Sequence, residues 1–198
     1  AQLEAAVRAV FRSWQRARAV EYRRLHHLDD TAGTAVTVQR MVFGNAGGSS
    51  GSGVAFSRDP ATGENRLYMD FLFNAQGEDV VSGRQALQDA AQIATVLPDL
   101  MQQIVSVGRA LEAEFRDVQE FEFTIQDGVL YLLQTRTGKR TPWAALRIAV
   151  EQVREGLIAP AEALKRLRDV KLDRIESVRA IASDAAPVVC GAIAASAG

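Results

Sequence analysis

The stretch Glu120-Phe121-Glu122-Phe123-Thr124-Ile125-Gln126-Asp127-Gly128-Val129-Leu130-Tyr131-Leu132-Leu133-Gln134-Thr135-Arg136 decides the reading of this 198-residue chain. Apolar residues alternate with polar ones before an Asp-Gly pair, and an apolar run ending in Gln134-Thr135-Arg136 follows it, the pattern of a β-hairpin. Register follows from loop length. A two-residue Asp127-Gly128 turn sets Phe121 opposite Gln134 and splits the polar groups between both faces. A three-residue Gln126-Asp127-Gly128 loop, with Gly128 left-handed and bulged, pairs Ile125 with Val129 and sorts the faces cleanly. On that register Phe121, Phe123, Ile125, Val129, Tyr131 and Leu133 share one face. Glu120, Glu122, Thr124, Leu130, Leu132, Gln134 and Arg136 share the other.

The second face gathers two carboxylates, an amide and a guanidinium. Such hard oxygen donors suit magnesium, which also keeps waters and phosphate oxygens, and the planar fork of Arg136 suits a phosphate. An exposed sheet face carrying a surface salt bridge satisfies the same pattern, so the hairpin alone leaves both readings open.

Outward from the hairpin, Thr34 to Phe43, Gly53 to Ser57 and Arg66 to Phe73 read as strands, predicting an antiparallel meander. Between Phe43 and Val54 runs Gly44-Asn45-Ala46-Gly47-Gly48-Ser49-Ser50-Gly51-Ser52-Gly53, in which five of ten residues are glycine. Its backbone amides can approach a ligand closely, and a flexible hairpin tip has the same composition. Asp59-Pro60-Ala61-Thr62-Gly63 is turn chemistry.

Helical periodicity covers Gln2 to His27, as one long or two short helices, with Arg8, Arg12, Arg16, Arg18, Arg23 and Arg24 on its polar side. His26 and His27 beside Asp29 and Asp30 read as a helix end next to acids. Pro98 opens a strong helix, and Pro142 to Arg154 and Pro160 to Arg168 each begin with proline, with Gly156 as a stop between them. Beyond Leu172 the apolar pattern weakens into a linker. The fold class is therefore α+β: an antiparallel sheet with packed helices, then a small helical subdomain.

Twenty-three basic and 24 acidic residues give a net charge of −1, removing the general attraction that nucleic acid or an anionic membrane requires. No run of about 18 apolar residues and no signal-peptide pattern is present, which points to the cytoplasm. Cys190 is the single cysteine and reads as a small packing residue. Gly138-Lys139-Arg140-Thr141 lacks the serine or threonine directly after lysine and the upstream glycine of a phosphate loop, and no Rossmann fingerprint or Ser/His/Asp arrangement appears. Phosphate and metal binding remain.

Several strings in order carry a resemblance: Met41-Val42-Phe43-Gly44-Asn45, Gly51-Ser52-Gly53-Val54-Ala55-Phe56-Ser57-Arg58, Asn74-Ala75-Gln76-Gly77-Glu78-Asp79-Val80-Val81, and the hairpin through Thr137-Gly138-Lys139-Arg140-Thr141. They resemble the pyruvate, phosphate dikinase family over roughly Gln2 to Leu172. The resemblance implies the later lobe of an ATP-grasp nucleotide-binding domain over residues 1–140, a helical subdomain over 141–172, and a linker over 173–198 toward a phosphohistidine domain that this sequence lacks, as it lacks the earlier lobe. The implied enzyme is a phosphotransferase with paired acceptors. It interconverts ATP, phosphate and pyruvate with AMP, diphosphate and phosphoenolpyruvate through a phosphohistidine, and its full form is compatible with a homodimer. By the resemblance Glu122 and Gln134 match the magnesium and phosphate site, Glu120 a neighbouring acid that is usually aspartate, and Arg136 a phosphate-binding arginine. Glu78 and Asp79 match acids near the adenosine, and the loop with Gly51 and Gly53 matches one lying over the phosphates. ATP and Mg2+ are the implied cofactors, the chain alone is expected to be inactive, and the partners expected are ATP and the two missing domains, with no nucleic acid or membrane. A non-catalytic module on the same fold and a related phosphohistidine dikinase with another acceptor are the competing readings.

Overall fold

A computed structural model describes residues 1–81 and 90–170. The chain divides into two compact units, Ala1–Met41 and Val42–Gly198.

In the first unit, α1 (Gln2–Ser13) and α2 (Ala17–Leu25) resolve the amino-terminal periodicity into two helices. Five of the six expected surface arginines stay exposed or half-exposed, but Arg23 is buried. Its guanidinium lies 4.0 Å from the Trp14 ring centroid and donates to Asp30 Oδ1 at 2.6 Å and to the Trp14 carbonyl at 2.9 Å. Stacking and pairing together make burial of that charge tolerable.

The second unit is built on one antiparallel sheet in the order β2-β1-β3-β4, comprising β1 (Gly51–Phe56), β2 (Tyr68–Phe73), β3 (Gln119–Gln126) and β4 (Val129–Thr137). The expected α+β class holds. The expected strand over Thr34 to Phe43 does not form, and Val38, Met41 and Phe43 are exposed. Alternating β-branched residues make a strand only where a partner completes the ladder, and the sheet ends at β2 and β4. Helices α3 (Gly77–Val81) and α4 (Ala90–Val96) are additional short elements, and α5 (Pro98–Phe115), α6 (Pro142–Arg154) and α7 (Pro160–Leu167) follow their proline starts.

The core lies on one face of the sheet. Phe71, Phe121, Phe123, Ile125, Met69 and Ala55 pack against Ile93 of α4 and Leu100 and Ile104 of α5. Gly51 and Gly53 point the same way: a Cβ on Gly51 would lie 2.2 Å from the Phe71 ring, and one on Gly53 2.6 Å from Phe123. Those two rings stack 5.9 Å apart across the slot that the glycines leave open.

The hairpin corrects the expected register. Asp127 (φ 52°) and Gly128 (φ 77°) both have positive φ, as a two-residue type I′ turn requires. Gln126 pairs with Val129, Ile125 with Leu130, Thr124 with Tyr131 and Phe123 with Leu132. A bulge then skips Leu133, and the ladder resumes with Glu122 opposite Gln134, Phe121 opposite Thr135 and Glu120 opposite Arg136. The extra residue that sequence reasoning assigned to the turn sits in the middle of β4. Leu130 and Leu132 consequently belong to the core face, beside Gln103 and Val107 of α5, while Val129 and Tyr131 move to the polar face.

The tail beyond residue 170, including Cys190 and the expected linker, lies outside the described residues. No helix among those described is long and apolar enough to cross a membrane.

Candidate functional site

The bulge leaves the central expectation intact by another route. Residues directly opposite in an antiparallel pair project from the same face, with Cβ atoms roughly 5 Å apart. Glu122 and Gln134 are such a pair, and so are Glu120 and Arg136 two residues along. Ladder pairing extends these rows across the sheet: Glu122 faces Val54, which faces Asp70, and Glu120 faces Phe56, which faces Tyr68. One polar face therefore carries Asp70, Glu120, Glu122, Gln134 and Arg136, with Ser52 and Thr124 buried in the next row and joined Oγ to Oγ1 at 3.1 Å.

Each candidate has a distinct state of pairing. The Glu120 carboxylate is buried, and its Oε1 accepts from Arg136 Nη2 at 2.5 Å. Arg136 is 56% exposed at its side chain. Its pKa is raised, first by the hydrogen bond it donates to Glu120 and further by the charges of Glu120 and Glu122. Glu122 is half-buried, Gln134 is exposed, and neither side chain has a hydrogen-bonding partner among the described residues. Such oxygens are ready for an external ligand.

Asp70 is the residue that sequence reasoning missed. It is half-buried and unpartnered among the described residues, and burial pushes its carboxyl pKa up. Alternation along Tyr68-Met69-Asp70-Phe71-Leu72-Phe73 could have found it, because the buried Met69 and Phe71 force Asp70 to the opposite side.

Helix α3 covers the β1–β2 half of this same face, since its Val80 packs with Leu72 and Ala75 against Val54. That brings Glu78 and Asp79 to the side of the sheet that carries Glu122. Glu78 is exposed, while Asp79 Oδ2 caps the helix by accepting the Gln76 N–H at 2.9 Å.

The glycine-rich segment divides in two. Gly51 and Gly53 lie inside β1, a central strand laddered to β2 and β3, so their amides are engaged in the sheet and their missing side chains serve the core. The open part is Gly44 to Ser50. It is anchored rather than loose: the Phe43 N–H donates to Gln126 Oε1 at 2.9 Å, the Asp127 N–H to Ser50 Oγ at 3.0 Å, and the Gly128 N–H to the Ser49 carbonyl at 3.2 Å. Gln76 Nε2 bonds Asn45 Oδ1 at 3.1 Å. The N–H groups of Gly47, Gly48 and Ser49 have no protein acceptor among the described residues.

As a test of metal chemistry, no group of three or more His, Cys, Asp or Glu side chains gathers among the described residues. A carboxylate with an amide oxygen beside it fits a cation that takes most of its ligands from waters and a phosphate, as magnesium does, and does not fit a closed zinc or calcium cage. His26 and His27 lie in the other unit, with the His26 ring 4.2 Å from Tyr22.

A family model described as "Pyruvate phosphate dikinase, AMP/ATP-binding domain" matches residues 1–95, a span that includes β1, β2 and α3. The chain is 51% identical over 174 residues, 88% of its length, to a pyruvate, phosphate dikinase of Clostridium symbiosum, and 48% identical over 88% of its length to that of Rhizobium meliloti. A chloroplastic pyruvate, phosphate dikinase of Zea mays is 47% identical over the same share. These alignments cover 20%, 21% and 18% of the relatives, so the chain spans about a fifth of their length. With a four-stranded α+β lobe, a shared polar face and about half of its residues identical to such relatives, the chain belongs to the pyruvate phosphate dikinase AMP/ATP-binding domain family.

Proposed function

We propose that this chain is part of the ATP-binding domain of a pyruvate, phosphate dikinase, the later lobe of an ATP-grasp fold with the helices that follow it. The lobe comprises residues 1–140 and the helical subdomain 141–172, with 173–198 leading toward a phosphohistidine domain. The observation that carries this reading is the direct pairing of Glu122 with Gln134, two unsatisfied oxygen-bearing side chains, beside the Glu120–Arg136 pair.

On this reading Glu122 and Gln134 hold magnesium, which would neutralise phosphate charge. Arg136 grips phosphate oxygens with a fixed fork, and Glu78 and Asp79 lie toward the ribose hydroxyls. Gly51 and Gly53, which the resemblance matches to a loop over the phosphates, contribute by letting β1 lie flat on two aromatic rings. The free amides of Gly47, Gly48 and Ser49 are the better phosphate contacts. Phosphoryl transfer asks mainly for positioning and charge neutralisation, and these residues supply half of the set. The rest belongs to a facing lobe, so the chain alone binds ATP weakly and turns nothing over. The complete protein passes a phosphoryl group from ATP to a histidine and then to pyruvate, in the cytoplasm. The non-catalytic alternative leaves the unpartnered Glu122 and Gln134 without a role.

The test is Glu122→Ala in the full-length protein. Phosphohistidine formation from ATP should fall by at least about a hundredfold, as when a transition-state charge contact is removed, while phosphoenolpyruvate binding is spared. Unchanged phosphohistidine formation would remove Glu122 from the mechanism.

A further inference from the structure

We propose that Glu120 acts through Arg136, as a positioning residue that turns the guanidinium fork toward phosphate oxygens, and is not itself a ligand of the nucleotide. This inference rests on the nucleotide reading above and assigns a division of labour within it.

The two side chains of the pair are unequally placed. Glu120 is 7% exposed, whereas its partner is open to solvent over more than half of its side chain. Directly across from Glu120 on β1 stands Phe56, whose ring meets that of Tyr68 edge-on at 6.1 Å, so an aromatic pair walls the carboxylate on the side away from β4. On the β4 side, Thr135 Oγ1 donates to the Glu120 carbonyl at 3.3 Å and to Gln119 Oε1 at 3.2 Å, fixing the backbone of both strands at this row. The carboxylate so held meets Arg136 Nη2. A buried carboxylate with that neighbour already engaged cannot reach a ligand on the open face without abandoning the guanidinium, and doing so would leave a buried charge unpaired.

Arg136 has the complementary property. A guanidinium carries five N–H donors in one rigid plane, so engaging one nitrogen sets the direction of the others. Glu120 takes Nη2, and no described residue takes Nε or Nη1. Those remaining donors lie in the plane that Glu120 selects, available for the paired contacts a phosphate makes. Without Glu120 the side chain has free rotamers to lose when a phosphate arrives, which weakens binding without removing any direct contact.

The experiment uses the full-length protein and two probes, MgATP and adenosine, with affinities read by calorimetry for Glu120→Gln, Glu120→Asp, Arg136→Ala and the double variant Glu120→Gln/Arg136→Ala. Thermal unfolding of each variant shows that it is folded, and Glu120→Asp, which keeps the charge but withdraws it by a methylene, carries the test if Glu120→Gln does not fold. The expected result is a loss of about tenfold in MgATP affinity for each Glu120 variant, the scale of one charge-assisted hydrogen bond, with adenosine affinity unchanged. The double variant should bind MgATP no worse than Arg136→Ala alone. A parallel fall in adenosine affinity, or a double-variant loss equal to the product of the single losses, would show Glu120 working independently and overturn the inference. If Arg136→Ala itself leaves MgATP affinity unchanged, the nucleotide reading fails first.

Discussion

Arg58 and Arg136 both pair with glutamate, yet one is spent and the other is open. Arg58 sits just past β1 with its side chain 3% exposed. Its Nε donates to Glu112 of α5 at 2.6 Å, Nη1 reaches Glu151 of α6 and Glu155, and Nη2 also meets Glu155. Gln152 Nε2 donates to Glu112 at 3.0 Å, and Asn65 Nδ2 to Glu155 at 3.0 Å, so the acids are shared in turn. Every nitrogen of Arg58 is committed to holding the sheet to two helices. Arg136 commits one nitrogen. The lesson is that an arginine's role is read from how many of its donors the fold consumes, and charge pairing by itself does not separate a structural cation from a ligand-ready one.

Four changes would break or sharpen that contrast. The largest is Arg58→Ala, which leaves Glu112 buried without its cation and should cost about 3 kcal/mol or more in chemical denaturation. Arg136→Ala should cost clearly less stability while losing more affinity for MgATP, and equal stability losses would undo the distinction. Next is Asp70→Asn. Burial raises the Asp70 pKa, so the folded state holds its proton more tightly than the unfolded chain, and stability falls as pH rises from the ordinary value of 3.8 through the folded one. The amide should therefore stabilise the protein at neutral pH by under about 1 kcal/mol, half of the carboxyl still meeting water, and the gain should vanish below the ordinary value. A gain that persists in acid would assign the effect to packing. The smallest concerns Glu155, whose pKa is lowered first by its hydrogen bond to Arg58. Its contribution is present above the ordinary carboxylate value of 4.5 and lost as pH falls through the lowered one. Glu155→Gln should flatten the acid limb of a melting-temperature profile and leave the neutral plateau nearly flat. An unaltered acid limb would mean that Arg58 relies on Glu112 and Glu151 without Glu155.

Much of the fold was legible where local rules suffice. Pro142 and Pro160 mark α6 and α7 at their first positions, Thr141 Oγ1 accepts the Ala144 N–H at 3.1 Å as a cap, and Gly156 (φ 74°) stops the helix. Helices α3 and α4, five and seven residues long, are too short to display a period. The bulge has no local signature either: Leu132 and Leu133 are identical residues, and only the pairing with β3 tells which one is skipped. The strand reading over Thr34 to Phe43 failed because alternation describes a strand's faces and says nothing of a neighbour. Within the candidate site, Glu122 and Gln134 were legible because a hairpin is a local object. The Arg58 cluster was not, since its contacts span separations of 54, 93 and 97 residues.

The skipped residue in β4 has a consequence for how this hairpin can change length. Phe123 pairs with Leu132 and Glu122 with Gln134, so removing Leu133 would join two positions already facing successive partners and leave a regular ladder. Elsewhere in the strand, losing a single residue would invert everything beyond it, sending Arg136 into the core. Leu133 is thus a place where a one-residue deletion preserves the sidedness of the whole hairpin, and related sequences of either length can present the same groups outward.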